Sequence, residues 1–356
     1  MARLGRALAI LALLLAGCSP QAQAPAATSA ASGPTKTTPT QLKFNANGTP
    51  DLTGVSLSLG NSAGDATIGD TVVYIVSKTL EQWGATVNFQ LGQGNTTELA
   101  VVSGQLNATA GPMPSMLNAG LSIFGNSQVH VDYLLVAKSF NALDQIKGKK
   151  VAIATTVSPD NLLLDGALKK AGLARSDVTI ALTGSNGASV KQMLQGQVDA
   201  AFVHADGLLK LQKTGTFNVL ANSNDLTPWF ADSYIGAMPA WLAANPAYAE
   251  AIDLAWLHAA KVFDTDKAQW SKYAVEFTKG TVTDADAAAS YDALAKGGPW
   301  PADGSGLEPD TLQKNFDVNK QNGQLKGAGD RPMAQWFVAK PWTDAVAYFK
   351  AHSSAF

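Results

Sequence analysis

From Gly54 onward, apolar residues fall into two alternating patterns, short runs and three-to-four-spaced stripes. Val55–Leu59 reads as a strand, and Thr71–Trp83 as a helix closed by Gly84. Ala85–Leu91 is a second strand. Asn95 opens a helix with Glu98 three residues on, a capping-box-like start, and Gly104 ends it. Leu106–Ala110 is a third strand. The alternation resumes with Val151–Ala154 as a strand, followed by Ser158-Pro159, an N-cap before a proline at the first helical position. Leu162, Leu163, Ala167, Leu168 and Ala171 mark that helix's apolar face, and Gly172 stops it. Val178–Leu182 is a strand, Asn186–Gln195 a helix ended by Gly196, and Val198–His204 another strand. Strands separated by helices predict parallel sheets with helices on their faces.

The two halves of this pattern echo each other. Val102-Ser103-Gly104-Gln105-Leu106-Asn107-Ala108 matches Leu194-Gln195-Gly196-Gln197-Val198-Asp199-Ala200. Gly54 precedes the first copy and Gly148 the second, each by roughly fifty residues, which is a repeat period. The sequence therefore predicts an α/β protein of two similar lobes. Their sheets are expected to be mixed but mainly parallel, flanked by helices and joined by a hinge. Beyond Ala240 the pattern is mainly helical: Pro246 towards Phe263, then Asp284–Lys296, Glu308–Gln321 and Pro341–His352, with a Gly/Pro-rich break at Gly297–Gly306. Residues 47–135 and 230–356 are assigned to the first lobe with its C-terminal helices, and 136–229 to the second.

The N-terminus sets the expected compartment. Arg3 and Arg6 precede an apolar run from Ala7 to Leu15, too short for the roughly 20 residues a membrane span needs but suited to a signal peptide. The run ends in Leu15-Ala16-Gly17-Cys18, which resembles the lipobox of bacterial lipoproteins. That resemblance makes residues 1–18 a leader and implies acylation of Cys18 and a membrane anchor. Residues 19–46 are rich in Ala, Pro, Ser, Thr and Gln, and are expected to form a disordered tether to about Phe44. Cys18 is the only cysteine, so no disulfide can staple the chain. About 310 residues remain, enough for two ordinary domains. The composition is 46% hydrophobic and 15% charged. Removal of Arg3 and Arg6 leaves 24 basic against 28 acidic residues, a net charge of −4 without any basic block. That disfavours nucleic-acid binding.

A family resemblance adds to this reading. Leu143-Asp144-Gln145-Ile146-Lys147-Gly148-Lys149-Lys150-Val151-Ala152 resembles the opening of the second lobe of type II periplasmic binding proteins. Ser158 to Gly172, Ser176-Asp177-Val178-Thr179-Ile180 and Gly196-Gln197-Val198-Asp199-Ala200-Ala201 continue the likeness in order. It is nearest to the nitrate/sulfonate/taurine and pyrimidine-precursor branch of ABC-importer binding proteins, over roughly residues 50–350. The resemblance implies a monomeric, extracytoplasmic, solute-capturing subunit that works with a membrane permease and an ATPase, without catalysis or cofactor. Two stretches depart from the family: Leu106-Asn107-Ala108-Thr109, where Val-Asp is usual, and Val203-His204-Ala205-Asp206, where many members have Glu-Pro. Both are expected beside the cleft.

In such a sheet, ligands bind outside the carboxyl ends of the strands, where helix N-termini present free N–H groups. The candidate ligand residues are therefore Asn61, Ser62, Asp65, Thr67, Met113, Ser115, Thr155, Thr156, Ser158, Asp160, His204 and Asp206, with Trp229 and Tyr234 as an aromatic wall beside Phe230. Each has a structural alternative: Ser158 and Asn61 as caps, the aromatics as interface core, His204 as a satisfied structural histidine. Trp256 and Trp270 sit on helical patterns and read as core. Gly60-Asn61-Ser62-Ala63-Gly64 matches the nucleophile elbow of serine hydrolases, but a polar loop rather than a helix follows it. Gly92-Gln93-Gly94 lacks the third glycine of a dinucleotide site and reads as a tight turn. The histidines at 130, 204, 258 and 352 have no metal-ligand spacing, although His130 and Asp132 share a strand face. A sensor-linked receptor, a secreted hydrolase using Ser62 and an enzyme of cofactor biosynthesis remain the alternatives. The cleft loops contain several aspartates and no lysine or arginine, which predicts a neutral or amine-bearing solute.

Overall fold

The computed structural model describes residues 41–356 apart from 65, 129–133, 157, 228, 229, 232 and 296, and apart from the side chain of Asp206. Its first half is built as the glycine punctuation predicts. β1 (Ser56–Asn61), α1 (Thr71–Gln82), β2 (Thr86–Leu91), α2 (Thr96–Val102), β3 (Ala108–Gly111), α3 (Met113–Asn118) and β4 (Ser122–Gln128) follow in order. The chain then enters a second sheet through β5 (Leu134–Ala137), so the expected lobe boundary at residue 135 falls inside that strand. β6 (Lys150–Ile153), α4 (Pro159–Ala171), β7 (Thr179–Leu182), α5 (Asn186–Leu194), β8 (Ala200–Val203), α6 (Ala205–Gln212), β9 (Asn218–Asn222) and α7 (Ser223–Leu226) repeat the pattern. β10 (Ser233–Ala237) returns to the first sheet. α8 (Pro239–Ala244), α9 (Pro246–Thr265), α10 (Lys267–Phe277), α11 (Asp284–Ala295), α12 (Pro309–Gln321) and α13 (Ala339–Ala351) complete the chain.

The two sheets share one strand order, β2-β1-β3-β10-β4 and β7-β6-β8-β5-β9. β1 pairs in parallel with β2 and β3, and β6 does so with β7 and β8. The fourth strand in each list is antiparallel to both neighbours. It is also the strand that follows a crossing from the other lobe. Each lobe thus completes its sheet with a strand reached through the other, and the chain crosses twice.

The sequence repeat has a hydrogen-bonding cause. Gly104 and Gly196 end their helices at φ of +76° and +68°, a conformation that glycine adopts without a Cβ penalty. Three residues on, Asn107 Oδ1 accepts from the Ser58 backbone N–H at 2.8 Å, and Asp199 Oδ2 accepts from the Lys150 N–H at 2.8 Å. In both lobes this residue ties the third strand to the start of the first. Asn107 therefore lies at the N-terminal end of β3, away from the cleft edge where it was expected.

The first lobe's core is one cluster that takes in β1, β3, β4, β10 and most of the C-terminal helices, with Trp256, Trp270, Trp300 and Trp336 almost fully buried. Trp256 and Trp270 are core, as their helical spacing predicts. The second lobe has two smaller clusters, one centred on Leu163, Ala167 and Phe202, the other on Val136, Met193 and Val203. The expected tether ends earlier than Phe44. That residue bridges to Pro50 and its ring stacks on Tyr348 at 4.0 Å, because an aromatic ring finds apolar cover there. Cys18 and the leader lie outside the described residues.

Candidate functional site

The parallel strands of both sheets run out at one cavity of about 540 Å³. Asn61 and Ser62 follow β1, Gln93 to Asn95 follow β2, and Gly111, Pro112 and Ser115 follow β3. Ala154, Thr155 and Ser158 follow β6, Gly184 to Gly187 follow β7, and His204 follows β8. The antiparallel strand β10 presents Ser233 at the same edge, because its start lies where its neighbours end. Helices α2 to α6 begin beside these residues, so unpaired backbone N–H groups and the positive ends of helix dipoles gather around the cavity.

Asn61, Ser62, Thr67, Ser115, Thr155, Ser158 and His204 line the cavity, as their place after strands predicts. The expected caps are not made: neither Ser158 nor Asn95 accepts a capping bond with its side chain. Asn61 instead donates to Asp70 Oδ1 at 2.9 Å, and Thr67 donates to the other oxygen of that carboxylate at 2.6 Å. Four candidates stand apart from the cavity. Met113 is buried in the first lobe's core. Thr156 turns its carbonyl to Asn161 and Gln324, at 2.9 Å each. Asp160 is fully buried behind Ser158. Tyr234 is 1% exposed, because β10 is an inner strand whose side chains pack on both faces. Phe230 is likewise buried, in the second lobe's core. Asp65, Trp229, His130 and Asp132 lie outside the described residues, as does the Asp206 side chain.

Sequence reasoning missed Gln93, Asn118, Gln128, Asn186 and Lys326. Lys326 corrects the charge argument most directly, because this lysine lines the cavity from the segment after α12. No local pattern could have placed it there. Gln324, two residues earlier, donates to Thr156 in the second lobe and accepts from Asn118 Nδ2 at 2.8 Å. This segment thus touches both walls. Gln128 was legible as the last polar residue of a strand, but β4 itself was not identified. It is 5% exposed, and its Nε2 has no partner among the described residues.

The electrostatics differ between the walls. On the second lobe, Ser158 Oγ accepts from Thr155 N–H at 2.8 Å and donates towards the Thr155 carbonyl and the Asp160 carboxylate. Asp160 Oδ2 also accepts from Ala154 N–H at 2.6 Å. Burial pushes the Asp160 carboxyl up to about 6, against the lowering pull of Ser158, Ala154 and His204. His204 Nε2 pairs with Asn186 Nδ2 at 2.9 Å. On the first lobe, Ser62 donates to the Gly94 carbonyl and sits 3.4 Å from Glu98 Oε2. Burial raises the Glu98 carboxyl as well. Ser62 is therefore bonded to a carbonyl and a carboxyl rather than to a histidine, and the helix after it starts only at Thr71. The described residues hold no cluster of three His, Cys, Asp or Glu side chains able to bind a metal, and no helix long and apolar enough to cross a membrane.

Comparison with known proteins agrees with this architecture. Residues 125–234 match the model of a family described as the periplasmic substrate-binding protein of a phosphonate ABC transporter. No protein of curated function matches the chain in sequence. Among solved structures, a ligand-binding component of an ABC-type import system from Staphylococcus aureus, with zinc bound, superposes with a TM-score of 0.66. It has 12% identity, over 82% of this chain and 99% of the other. The periplasmic aliphatic sulphonate-binding protein of Escherichia coli gives 0.63 at 15% identity, over 79% and 91%. A DszB variant in complex with biphenyl-2-sulfinic acid gives 0.56 at 13%, over 82% and 99%. The fold is that of the type II periplasmic binding proteins. Together with the matched stretch, it supports a periplasmic solute-binding protein of ABC importers.

Proposed function

We propose that this protein captures a small organic oxyanion, of the phosphonate or sulfonate kind, in its inter-lobe cavity and delivers it to an ABC permease and its ATPase. The observation that carries this reading is the cavity itself: it lies where the carboxyl ends of two parallel sheets meet, and helix N-termini from both lobes ring it. Lys326 adds a full positive charge to those partial ones. Asp70 lines the cavity, but both of its carboxylate oxygens accept hydrogen bonds, from Asn61 and Thr67, and Asp160 is buried behind Ser158. The matched family and the sulphonate-binding neighbour point to the same ligand chemistry. Closure would be a hinge motion at the two crossings, stabilised by contacts from both lobes. The cavity would bind without turnover, since among the described residues Ser62 has no histidine partner and no cysteine is present. The protein is proposed to act as a monomer, held at the outer face of the membrane through acylated Cys18.

A thermal-shift screen followed by calorimetry tests the ligand. Alkanesulfonates or alkylphosphonates should bind with micromolar Kd, and simple amines should not; the reverse pattern would restore the amine reading. Fluorophosphonate labelling at Ser62 would favour a hydrolase instead. Cys18→Ser should leave the protein soluble or unprocessed, and unchanged membrane retention would remove the anchor from the proposal.

A further inference from the structure

Each wall of the cavity carries a serine with a buried carboxyl directly behind it. Ser158 lines the cavity, and Asp160, fully buried, receives its hydroxyl proton. Ser62 lines the opposite wall, with Glu98 behind it at 3.4 Å and also fully buried. The backbone makes room for the second carboxyl: a Cβ on Gly111 would stand 2.8 Å from Glu98 Oε1. That oxygen has no partner among the described residues.

An ionised carboxylate can only accept hydrogen bonds, and a hydroxyl has one proton to give. While Asp160 is ionised, Ser158 gives its proton inward and offers the cavity a lone pair. An oxyanion there meets a like-signed dipole, with a buried negative charge behind it. With a solvent proton on Asp160 Oδ1, the direction inverts. The carboxyl O–H donates to Ser158 Oγ, Thr155 N–H still donates to the same oxygen, and the serine proton, no longer held by Asp160, is left to the Thr155 carbonyl at 2.7 Å or to an oxyanion in the cavity.

We propose that Asp160 is a positioning residue that sets, through Ser158, whether the second-lobe wall donates to or accepts from the solute, so that oxyanion capture is coupled to uptake of one proton. This rests on the oxyanion reading above. The charged groups around this end of α4 are His204 before α6, Asp225 on α7, Asp144 and Lys147 at the turn Leu143–Ile146, and Arg175, whose guanidinium bonds Asn161 at 2.9 Å and pairs with Asp165. Of these only His204 acts on Asp160. The coupling falls in a physiological window because Asp160 titrates near 6.

Ethanesulfonate stays anionic across the useful range and serves as the probe, with Kd measured by calorimetry from pH 5 to 8 in two buffers of different ionisation enthalpy. The wild type should weaken above about pH 6 by up to roughly tenfold per pH unit and take up a proton on binding. Asp160→Asn presents an amide donor to Ser158 Oγ at every pH. It should bind at pH 8 nearly as tightly as the wild type at pH 5, with most of the slope gone. Ser158→Ala should lose the low-pH gain, which reads the same coupling if Asp160→Asn does not fold. His204→Gln should keep the slope. A pH-invariant wild type, or a full slope in Asp160→Asn, overturns the coupling and leaves the oxyanion reading standing. No binding of ethanesulfonate or methylphosphonate at any pH overturns both.

Discussion

The two lobes use one strand order and spend it differently. In the first, the sheet β2-β1-β3-β10-β4 is backed by α9 and α13, and most of the C-terminal helices pack into the same core. In the second, β7-β6-β8-β5-β9 has its apolar residues split into a cluster on each face, and Val318 of α12 packs against one of them. Four almost fully buried tryptophans stand in the first lobe's core and none in the second's clusters. A repeated scaffold therefore fixes where the loops gather, and the added helices decide which lobe is the base. Apolar burial at about 25 cal/mol per Å² makes that base the more stable partner. The lobe with less core carries the polar group of Ser158, Asp160 and His204.

The sharpest way to break this comparison is to hollow the base. Trp256 is fully buried, its indole N–H donates to the Ser127 carbonyl at 3.1 Å, and its ring meets Trp342 edge-on at 5.4 Å. Trp256→Ala should cost about 3–5 kcal/mol. Urea unfolding should show the loss in the whole transition, and a change below 1 kcal/mol would contradict a first lobe built on that core.

A second test uses the polar flaw in the same core. Asp253, on α9, is fully buried, and neither carboxyl oxygen has a partner among the described residues. Burial, with Glu250 nearby, holds its carboxyl well above the usual range. Burial also pushes Glu250 up to about 7, helped by Asp344 and opposed by Lys340. A carboxyl whose folded value is raised stabilises the fold only while protonated, so its contribution is lost as pH rises through the folded value. The protein should therefore lose stability from about pH 4.5 to 7 and beyond. Asp253→Asn should flatten that slope, because it removes a carboxyl held well above the usual range. Melting temperatures against pH check it, and an unchanged slope would show Asp253 to be ionised in the fold.

Lys326 tests whether the base also reaches the ligand. It belongs to the C-terminal segment, yet lines the same cavity as Ser158. Lys326→Gln should weaken ethanesulfonate about tenfold, within the range of a hydrogen bond to a charged group at an exposed site. Calorimetry at low and high salt should also show a smaller salt dependence, and unaltered affinity would confine the anion to the helix N-termini.

What the sequence disclosed follows the range of the interactions involved. Helix starts and stops such as Ser158-Pro159 and Gly172 depend on neighbours within a turn, and they fall where the residues indicate. The strands β5 and β10 depend on partners from the other side of a crossing, and no local pattern marked them. Tyr234 looked like a cleft aromatic because it follows the second lobe. It is core because β10 sits between β3 and β4. Lys326 lies more than 200 residues from β3, so only the packed C-terminal half brings it to the site. Ser62 was legible as a cavity residue, whereas Glu98, buried behind it, looked like half of a capping box.

The smallest expected effect bears most directly on the repeat. Asn107 and Asp199 hold equivalent backbone N–H groups, Ser58 and Lys150, each at 2.8 Å. The departure from the family's aspartate at 107 keeps the bond, because a carboxamide oxygen accepts as a carboxylate does. The surroundings differ: the Ser58 bond is partly buried, and the Lys150 bond is exposed. An orphaned donor costs more where water cannot replace its acceptor. Asn107→Ala should therefore cost about 1 kcal/mol, and Asp199→Ala about half that or less. Asn107→Asp should recover most of the loss. Urea midpoints with unchanged m-values would check the series. Equal losses in the two lobes would mean that the bond, rather than its burial, sets the cost. A larger loss at Asp199 would reverse the view that the first lobe is the better-sealed copy.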